Sequence, residues 1–256
     1  MASFVPLEFW KAACAAVEAV HPGFIWLAES VHRSFSNMVR SLGFRSVRDV
    51  ELFEAFDIEY EYDIRETFDK YLRGTAPLSH YLDDMVFQEA IYPANYNKLR
   101  FLENHDQPRI ASYVPDERDL INYTAMVYFF KGTTMLYGGQ EFEDTHLPSL
   151  FERDPIDRET GRDLSPLLRA LYEIKHGALD PDDAFFAQAD DKNDIAILKR
   201  VGALGTKYGV FSLRSQSAEV PVDAPDGDYV NLIDGSPVSV RAGTLRCEGK
   251  PIIYVS

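Results

Sequence analysis

The stretch LRFLENHD, residues 99–106, is a short, mainly apolar run that becomes polar at its end. A run of this length and composition predicts a buried strand of a parallel sheet, with polar side chains beyond its carboxyl end. Residues 24–29 (FIWLAE) have the same pattern, and we predict further strands near 53–58 and 133–137. Helical patterns separate these strands, so the first part of the chain is predicted to be a βα series.

Two architectures fit this series, an open doubly wound sheet and part of a (β/α)₈ barrel. The strand–helix turns carry no Gly-x-Gly-x-x-Gly motif, so nucleotide binding has no support. From about Asp180 the pattern changes to short strands separated by turn residues, which predicts an antiparallel β domain. We therefore expect two parts, residues 1–178 and residues 179–256. The predicted helices span residues 9–20, 64–72, 78–91, 116–130 and 165–176, and the predicted strands of the second part span 194–200, 208–213, 218–222, 229–233, 238–240 and 251–255.

The composition excludes several classes of protein. The 256 residues are 46% hydrophobic, which is enough for an ordinary core, and the net charge is −15. We expect no nucleic-acid partner, since phosphate binding needs a basic surface. The two cysteines, Cys14 and Cys247, form neither a disulfide framework nor a zinc motif. The apolar stretch from Ala12 to Val20 is interrupted by Glu18, so no membrane span is expected, and localisation is left open.

Polar residues follow the carboxyl ends of the predicted strands. Each alone has an ordinary structural explanation, such as a helix start, a turn or a solvated loop. In a βα barrel, however, this rim is where active sites assemble, and several carboxylates around one mouth favour a functional site. The residues concerned are Glu29, Ser30, Asp57, Glu59, Glu61, Asn104, His105, Asp106, Arg109, Gln140 and Glu141.

The segment FLENHDQPR, residues 101–109, resembles the F-x-E-N-H-D signature of the alpha-amylase family, glycoside hydrolase family thirteen. Residues 24–29, 53–63 and 134–141 are similar, in order and spacing, to other strands of that family. The resemblance implies an α/β fold: strands five to eight of a partial TIM (β/α)₈ barrel, followed by a small all-β sandwich domain.

The resemblance also implies roles for individual residues. Glu29 would be the general acid/base and Asp106 the transition-state stabiliser, while His105, Asn104 and Arg109 would bind the sugar. This chemistry is consistent with glycoside hydrolysis, in which carboxylates stabilise an oxocarbenium-like transition state and one carboxyl protonates the leaving oxygen. The implied function is a retaining hydrolase or transglycosylase that acts on an alpha-linked oligosaccharide or polysaccharide. No cofactor or metal ligand is predicted; calcium is common in relatives, but none of its ligands is identified here.

One departure from the family pattern concerns the nucleophile. Residues 1–6 (MASFVP) resemble the stretch that directly follows the family's nucleophilic aspartate. We therefore expect this chain to lack that aspartate and the first four strands, and to be inactive alone. Half a barrel would leave strand edges unpaired, so self-association is also expected. Two alternatives stay open: a non-catalytic carbohydrate-binding or interaction protein of the same fold, and an unrelated α/β enzyme that matches by chance.

Overall fold

The computed structural model describes residues 1–256, and its first part is built on a four-stranded parallel sheet. The strands follow one another in chain order, β1 (Leu27–Ala28), β2 (Ile58–Tyr60), β3 (Lys98–Arg100) and β4 (Thr133–Thr134). Leu27 pairs with Ile58, Glu59 with Lys98 and Leu99 with Thr133, all in parallel register. Sequential parallel strands with helices between them form half of a (β/α)₈ barrel.

Eight helices connect and cover these strands. Asp116 begins the longest buried one, since its side chain accepts hydrogen bonds from the amides of Arg118 and Asp119. The helices are α1 (Leu7–Glu18), α2 (Arg33–Ser41), α3 (Asp49–Leu52), α4 (Arg65–Leu72), α5 (Leu78–Ile91), α6 (Ile110–Tyr113), α7 (Glu117–Phe129) and α8 (Ser165–Gly177). Short 3₁₀ turns lie at Ala2–Phe4 and Gln140–Phe142. None of the helices combines the length and the apolar character that a membrane crossing requires.

The second part is an antiparallel β domain of two four-stranded sheets, with strand orders β12-β7-β6-β5 and β8-β11-β10-β9. Val240, Leu245, Cys247 and Tyr254 are buried in the core between these sheets. The strands are β5 (Ala184–Asp190), β6 (Ile195–Gly202), β7 (Gly205–Ser212), β8 (Ser217–Pro221), β9 (Gly227–Val230), β10 (Pro237–Arg241), β11 (Thr244–Glu248) and β12 (Ile252–Val255).

The two parts share one large hydrophobic core. The ring of Phe129 in α7 lies 5.8 Å from that of Phe211 in β7, and Phe130 lies 6.0 Å from Phe185 in β5. Asn122 connects the parts by hydrogen bonds, donating to the carbonyl of Gly249 and accepting from the amide of Ser212. The sequence-predicted boundary at residue 178 falls between the end of α8 and the start of β5. A continuous core at this junction packs the β domain against helices α5 and α7.

Some predicted elements differ in the structure. The strand predicted at 53–58 is wrong: residues 49–52 form α3, and β2 begins at Ile58. Glu51 and Arg48 form a capping box at the start of α3, and Leu52 and Phe56 turn inward together. The sequence analysis also missed α2, β5 and β11. The apolar residues of the short α2 are Phe35, Met38 and Val39, whose helical spacing was a signal in the sequence.

Candidate active site

The carboxyl ends of β1 and β3 bring three titratable side chains together. Glu29 directly follows β1, while His105 and Asp106 lie in the turn after β3. The Nε2 atom of His105 is 3.3 Å from Asp106 Oδ2 and 3.8 Å from Glu29 Oε1. One ligand atom from each residue lies within 4.8 Å of the others, which is close enough to hold a metal ion. The side chains are 39%, 38% and 45% exposed for Glu29, His105 and Asp106, so a ligand can reach them.

Hydrogen bonds fix the turn that carries His105 and Asp106. The Asn104 side chain accepts from the amide of Asp106 at 3.0 Å and donates to the hydroxyl of Tyr62 at 2.7 Å. Tyr62 in turn donates to Asp106 Oδ2 at 3.3 Å. Asn104 therefore has both of the roles considered from the sequence. It forms a turn, and that turn positions the carboxylate of Asp106.

Aromatic rings form the floor beside these polar groups. Tyr60 and Tyr62 stack at 5.5 Å, and the edge of Phe101 meets both rings. Burial raises the pKa of Tyr62 above its ordinary value, and the negative charges of Asp106 and Glu29 add to this effect. Tyr62 therefore stays protonated and keeps its hydrogen bond to Asp106. The sequence analysis missed both tyrosines, although their spacing of two residues in a strand places them on one face.

Asn104 and Arg109, which the sequence predicts to bind the sugar, are both buried at 1% exposure. Arg109 donates to Glu103 Oε1 at 2.6 Å and to the carbonyl of His146 at 2.8 Å. Glu103 also accepts from the amide of Ile110 at 2.7 Å. The guanidinium is covered by Gly139, whose φ of 98° and missing Cβ allow this close approach. Both side chains thus contact protein groups: Asn104 is bound to Asp106 and Tyr62, whereas Arg109 is bound to Glu103 and His146.

Three other acids that the sequence analysis placed at the rim, all in or next to β2, are directed elsewhere. Glu59 and Glu61 point to the opposite face of β2, where Glu59 pairs with Lys98 at 2.8 Å and Glu61 with Arg100. The Asp57 side chain accepts from the amide of Trp26. The prediction that Asp57, Glu59 and Glu61 lie around the mouth is therefore wrong: Asp57 precedes β2, at the other end of the strand, and Glu59 and Glu61 are bound to cations on the opposite face. Glu29 has one further partner besides His105: the amino group of Met1 lies 2.9 Å from its Oε2 atom.

The sequence matches the profiles of a family of carbohydrate-active enzymes. The profile of the alpha amylase catalytic domain matches residues 5–185, and that of the bacterial alpha amylase C-terminal domain matches residues 186–254. The chain therefore belongs to the alpha-amylase family of glycoside hydrolases. The resemblance and the fold class predicted from the sequence are both confirmed.

Solved and curated relatives agree with this assignment. The crystal structure of an alpha-amylase from Lactobacillus plantarum covers 99% of the chain with a TM-score of 0.90 and 34% identity. An alpha-amylase from Geobacillus thermoleovorans, solved with acarbose, covers 98% with a TM-score of 0.73 and 18% identity, and so shows the fold alone. Alpha-amylase 2 of Schwanniomyces occidentalis is 26% identical over 173 residues, which is 57% of this chain. The chain spans 60% of the first of these proteins, 57% of the second and 33% of the third.

Proposed function

We propose that the chain supplies strands five to eight of the catalytic barrel of a retaining glycoside hydrolase acting on alpha-glucans or maltooligosaccharides. Glu29 is the general acid/base, Asp106 stabilises the transition state, and His105 binds the sugar. The observation that carries this proposal is the convergence of Glu29, His105 and Asp106, from the ends of two strands, within 4.8 Å. The likeness to the Lactobacillus plantarum alpha-amylase, at 34% identity, supports an alpha-glucan as the ligand.

The chemistry of these groups suits glycoside cleavage. Positive charge develops on the sugar ring in the oxocarbenium-like transition state, and a fixed carboxylate such as Asp106 stabilises that charge. The hydrogen bond from Tyr62 holds Asp106 in place before the reaction begins. Glu29, next to it, can give a proton to the leaving oxygen and later take one from water. The stacked rings of Tyr60 and Tyr62 offer an apolar surface for a neutral sugar.

The nucleophile is the part of the mechanism that these residues do not supply. A retaining enzyme needs a carboxylate that attacks the sugar, about 5–5.5 Å from the acid/base carboxyl. Among residues 1–256, Glu29 and Asp106 are the two carboxylates in the cluster, and the family pattern gives neither of them the attacking role. We therefore propose that residues 1–256 alone are inactive and that the attacking aspartate belongs to a separate segment. No metal or cofactor has a part in the proposed chemistry.

A second candidate is non-catalytic binding of a carbohydrate. The observation in its favour is the same one: a partly exposed carboxylate pair with an imidazole and an aromatic floor, but without a third carboxylate. Such a surface can hold sugar hydroxyls without cleaving the glycosidic bond. The two candidates differ in what a supplied nucleophile would do, because only a catalytic half-barrel gains activity from it.

The experiment compares the chain alone with the chain joined to the first half of the Lactobacillus plantarum alpha-amylase barrel, using maltoheptaose and a reducing-sugar assay. We expect no release by the chain alone and measurable release by the joined protein. In that protein Glu29→Gln and Asp106→Asn should each lower kcat by at least about a hundredfold, as losses of catalytic groups do. Glu152→Gln, at an exposed surface position, is the matched control.

Each outcome decides between the candidates. Full activity of the Glu29→Gln joined protein would contradict the acid/base assignment. Activity of the chain alone would contradict the proposal that residues 1–256 lack the nucleophile, and would make Asp106 the attacking group. A well-folded joined protein that binds acarbose but releases no sugar would favour the non-catalytic candidate.

A further inference from the structure

A cavity lies at the opposite end of the parallel sheet from the candidate active site. It has a volume of about 540 Å³ and is bordered by Asn97, just before β3, and Gly132, just before β4. The end of α8 and the β6 residue Arg200 complete the wall, so the cavity sits where the half-barrel meets the β domain. None of the residues of the Glu29 cluster lines it.

The lining of this cavity holds more cations than carboxylates, unlike the chain as a whole. The chain has a net charge of −15, yet the lining contains Lys131, Lys175 and Arg200 against a single carboxylate, Asp182. His176 adds an imidazole. A concentration of cationic side chains on an otherwise acidic chain attracts anions to that place.

Lys175 is the cation whose charge is left without a partner. Its ammonium group donates to the carbonyls of Tyr128 at 3.0 Å and Phe130 at 2.9 Å, at the end of α7. No carboxylate lies within 4.0 Å of its nitrogen, whereas Lys131 pairs with Glu89. Partial burial, together with the charges of Arg200 and Arg100, lowers the pKa of Lys175 to about 7. One of its three N–H groups is therefore free to bind a ligand, and an anion would restore its full charge.

Arg200 and an aromatic wall complete the cavity. The buried Arg200 donates to the carbonyls of Phe129 and Asp180, while its Nε has no acceptor at hydrogen-bonding geometry. Asp183 lies 3.4 Å from that nitrogen but is also bound to Lys207. The ring of Tyr172 stacks on His176 at 4.0 Å along one side of the cavity.

We propose that this cavity is a binding site for a small oxyanion, such as a phosphate or carboxylate group, held by the ammonium groups of Lys175 and Lys131. The volume exceeds that of an inorganic anion, so the site also has room for an organic part against the Tyr172 ring. Charge-assisted hydrogen bonds from ammonium to oxyanion are among the strongest that proteins form. The site is independent of the sugar cluster and does not rest on the function proposed above.

Sulfate is the first probe, because its charge stays constant from pH 5 to pH 9. We expect saturable binding of one sulfate per chain in calorimetry, with affinity that falls as the pH rises through about 7 and Lys175 loses its proton. Sulfate should in turn raise the pKa of Lys175, measured by NMR of its side-chain CH₂ groups next to the amine. The other charged or titratable groups facing Lys175 are Tyr96, Arg100, Tyr128, Lys131, Tyr172, His176, Asp182 and Arg200, with Glu89 behind Lys131.

Three variants test the residues. Lys175→Met and Lys131→Met should each weaken sulfate binding by at least about tenfold, the value of one charged hydrogen bond. Lys131→Met keeps the test valid if Lys175→Met fails to fold, which circular dichroism will show. Lys192→Met, at an exposed lysine in the turn between β5 and β6, is the control and should bind sulfate normally.

Two results would overturn the proposal: no saturable sulfate binding by the unmodified chain, or unchanged binding by the folded cavity variants. Inorganic phosphate and glucose 1-phosphate distinguish the sources of the anion. Equal affinity for sulfate, phosphate and the ester supports a site for the anionic group alone. Tighter binding of the ester supports an organic ligand whose second part contacts Tyr172.

Discussion

Replacing Arg109 by methionine tests how much its buried ion pair with Glu103 contributes to stability. Its side chain and that of Glu103 have no solvent exposure and are joined at 2.6 Å. Methionine fills similar space but leaves the Glu103 carboxylate with the Ile110 amide as its remaining close donor. Removing one partner of a buried ion pair costs about 3–5 kcal/mol, because the other charge stays buried without compensation. We expect a loss of that size in the free energy of unfolding at pH 8.

The pH dependence of this loss has a definite sign. Burial already raises the pKa of Glu103 above its ordinary value of 4.5, against the lowering effects of the Ile110 amide and Arg109. Without Arg109 the pKa rises further, so the folded state holds more protons than the unfolded state above pH 4.5. The free energy of unfolding then falls as the pH rises through that window. The destabilisation relative to the unmodified chain should therefore be smaller at pH 5 than at pH 8.

Urea unfolding followed by circular dichroism at both pH values measures the effect. The double variant Arg109→Met with Glu103→Gln should recover part of the loss at pH 8, since it removes the orphaned charge. Arg153→Met, at an exposed arginine, is the matched control and should change stability by less than about 0.5 kcal/mol. The reasoning is refuted if Arg109→Met alone loses less than about 1 kcal/mol at pH 8, or loses the same amount at both pH values.

Four further changes have expected outcomes. Asn122→Ala should lower the free energy of unfolding by about 2–4 kcal/mol in urea, because it leaves the Ser212 amide and the Gly249 carbonyl unpaired in the core; unchanged stability would contradict this. Tyr62→Phe should lower the activity of the joined protein by about tenfold by freeing Asp106, and an equal rate would argue against that positioning role. Residues 179–256 alone should keep the core between their two sheets but melt at a lower temperature than the full chain, because Phe185 and Phe211 lose their packing against α7; an equal melting temperature would contradict this. The full chain should associate in a concentration-dependent way in analytical ultracentrifugation, since Leu27 in the edge strand β1 is 46% exposed; a monomer at all concentrations would refute this.

Helices with clear start and stop signals could be predicted from the sequence. The predicted helix at 78–91 has the same bounds as α5, and that at 116–130 differs from α7 by one residue at each end. Proline before the first helix and aspartate at the cap of the second mark their starts. The strands of the β domain were found where apolar residues lie between turn residues. By contrast, β5 was missed because Asp182 and Asp183 precede a segment, AFFAQAD, without clear alternation.

Site residues that follow a strand could be predicted from the sequence. Which side chains within a strand face the site could not. In β2, odd and even positions face opposite sides of the sheet. Glu59 lies opposite Lys98 and pairs with it on the side of the helices, so Tyr60 faces the other way. A shift of one residue in the assumed start of β2 reverses every assignment along it. The prediction of a strand at 53–58 gave no reliable start, so Glu59 and Glu61 were placed at the mouth. The placement of Glu29 and Asp106 at the rim did not depend on this alternation. Both residues lie beyond their strands, where the turn sets the direction of the side chain.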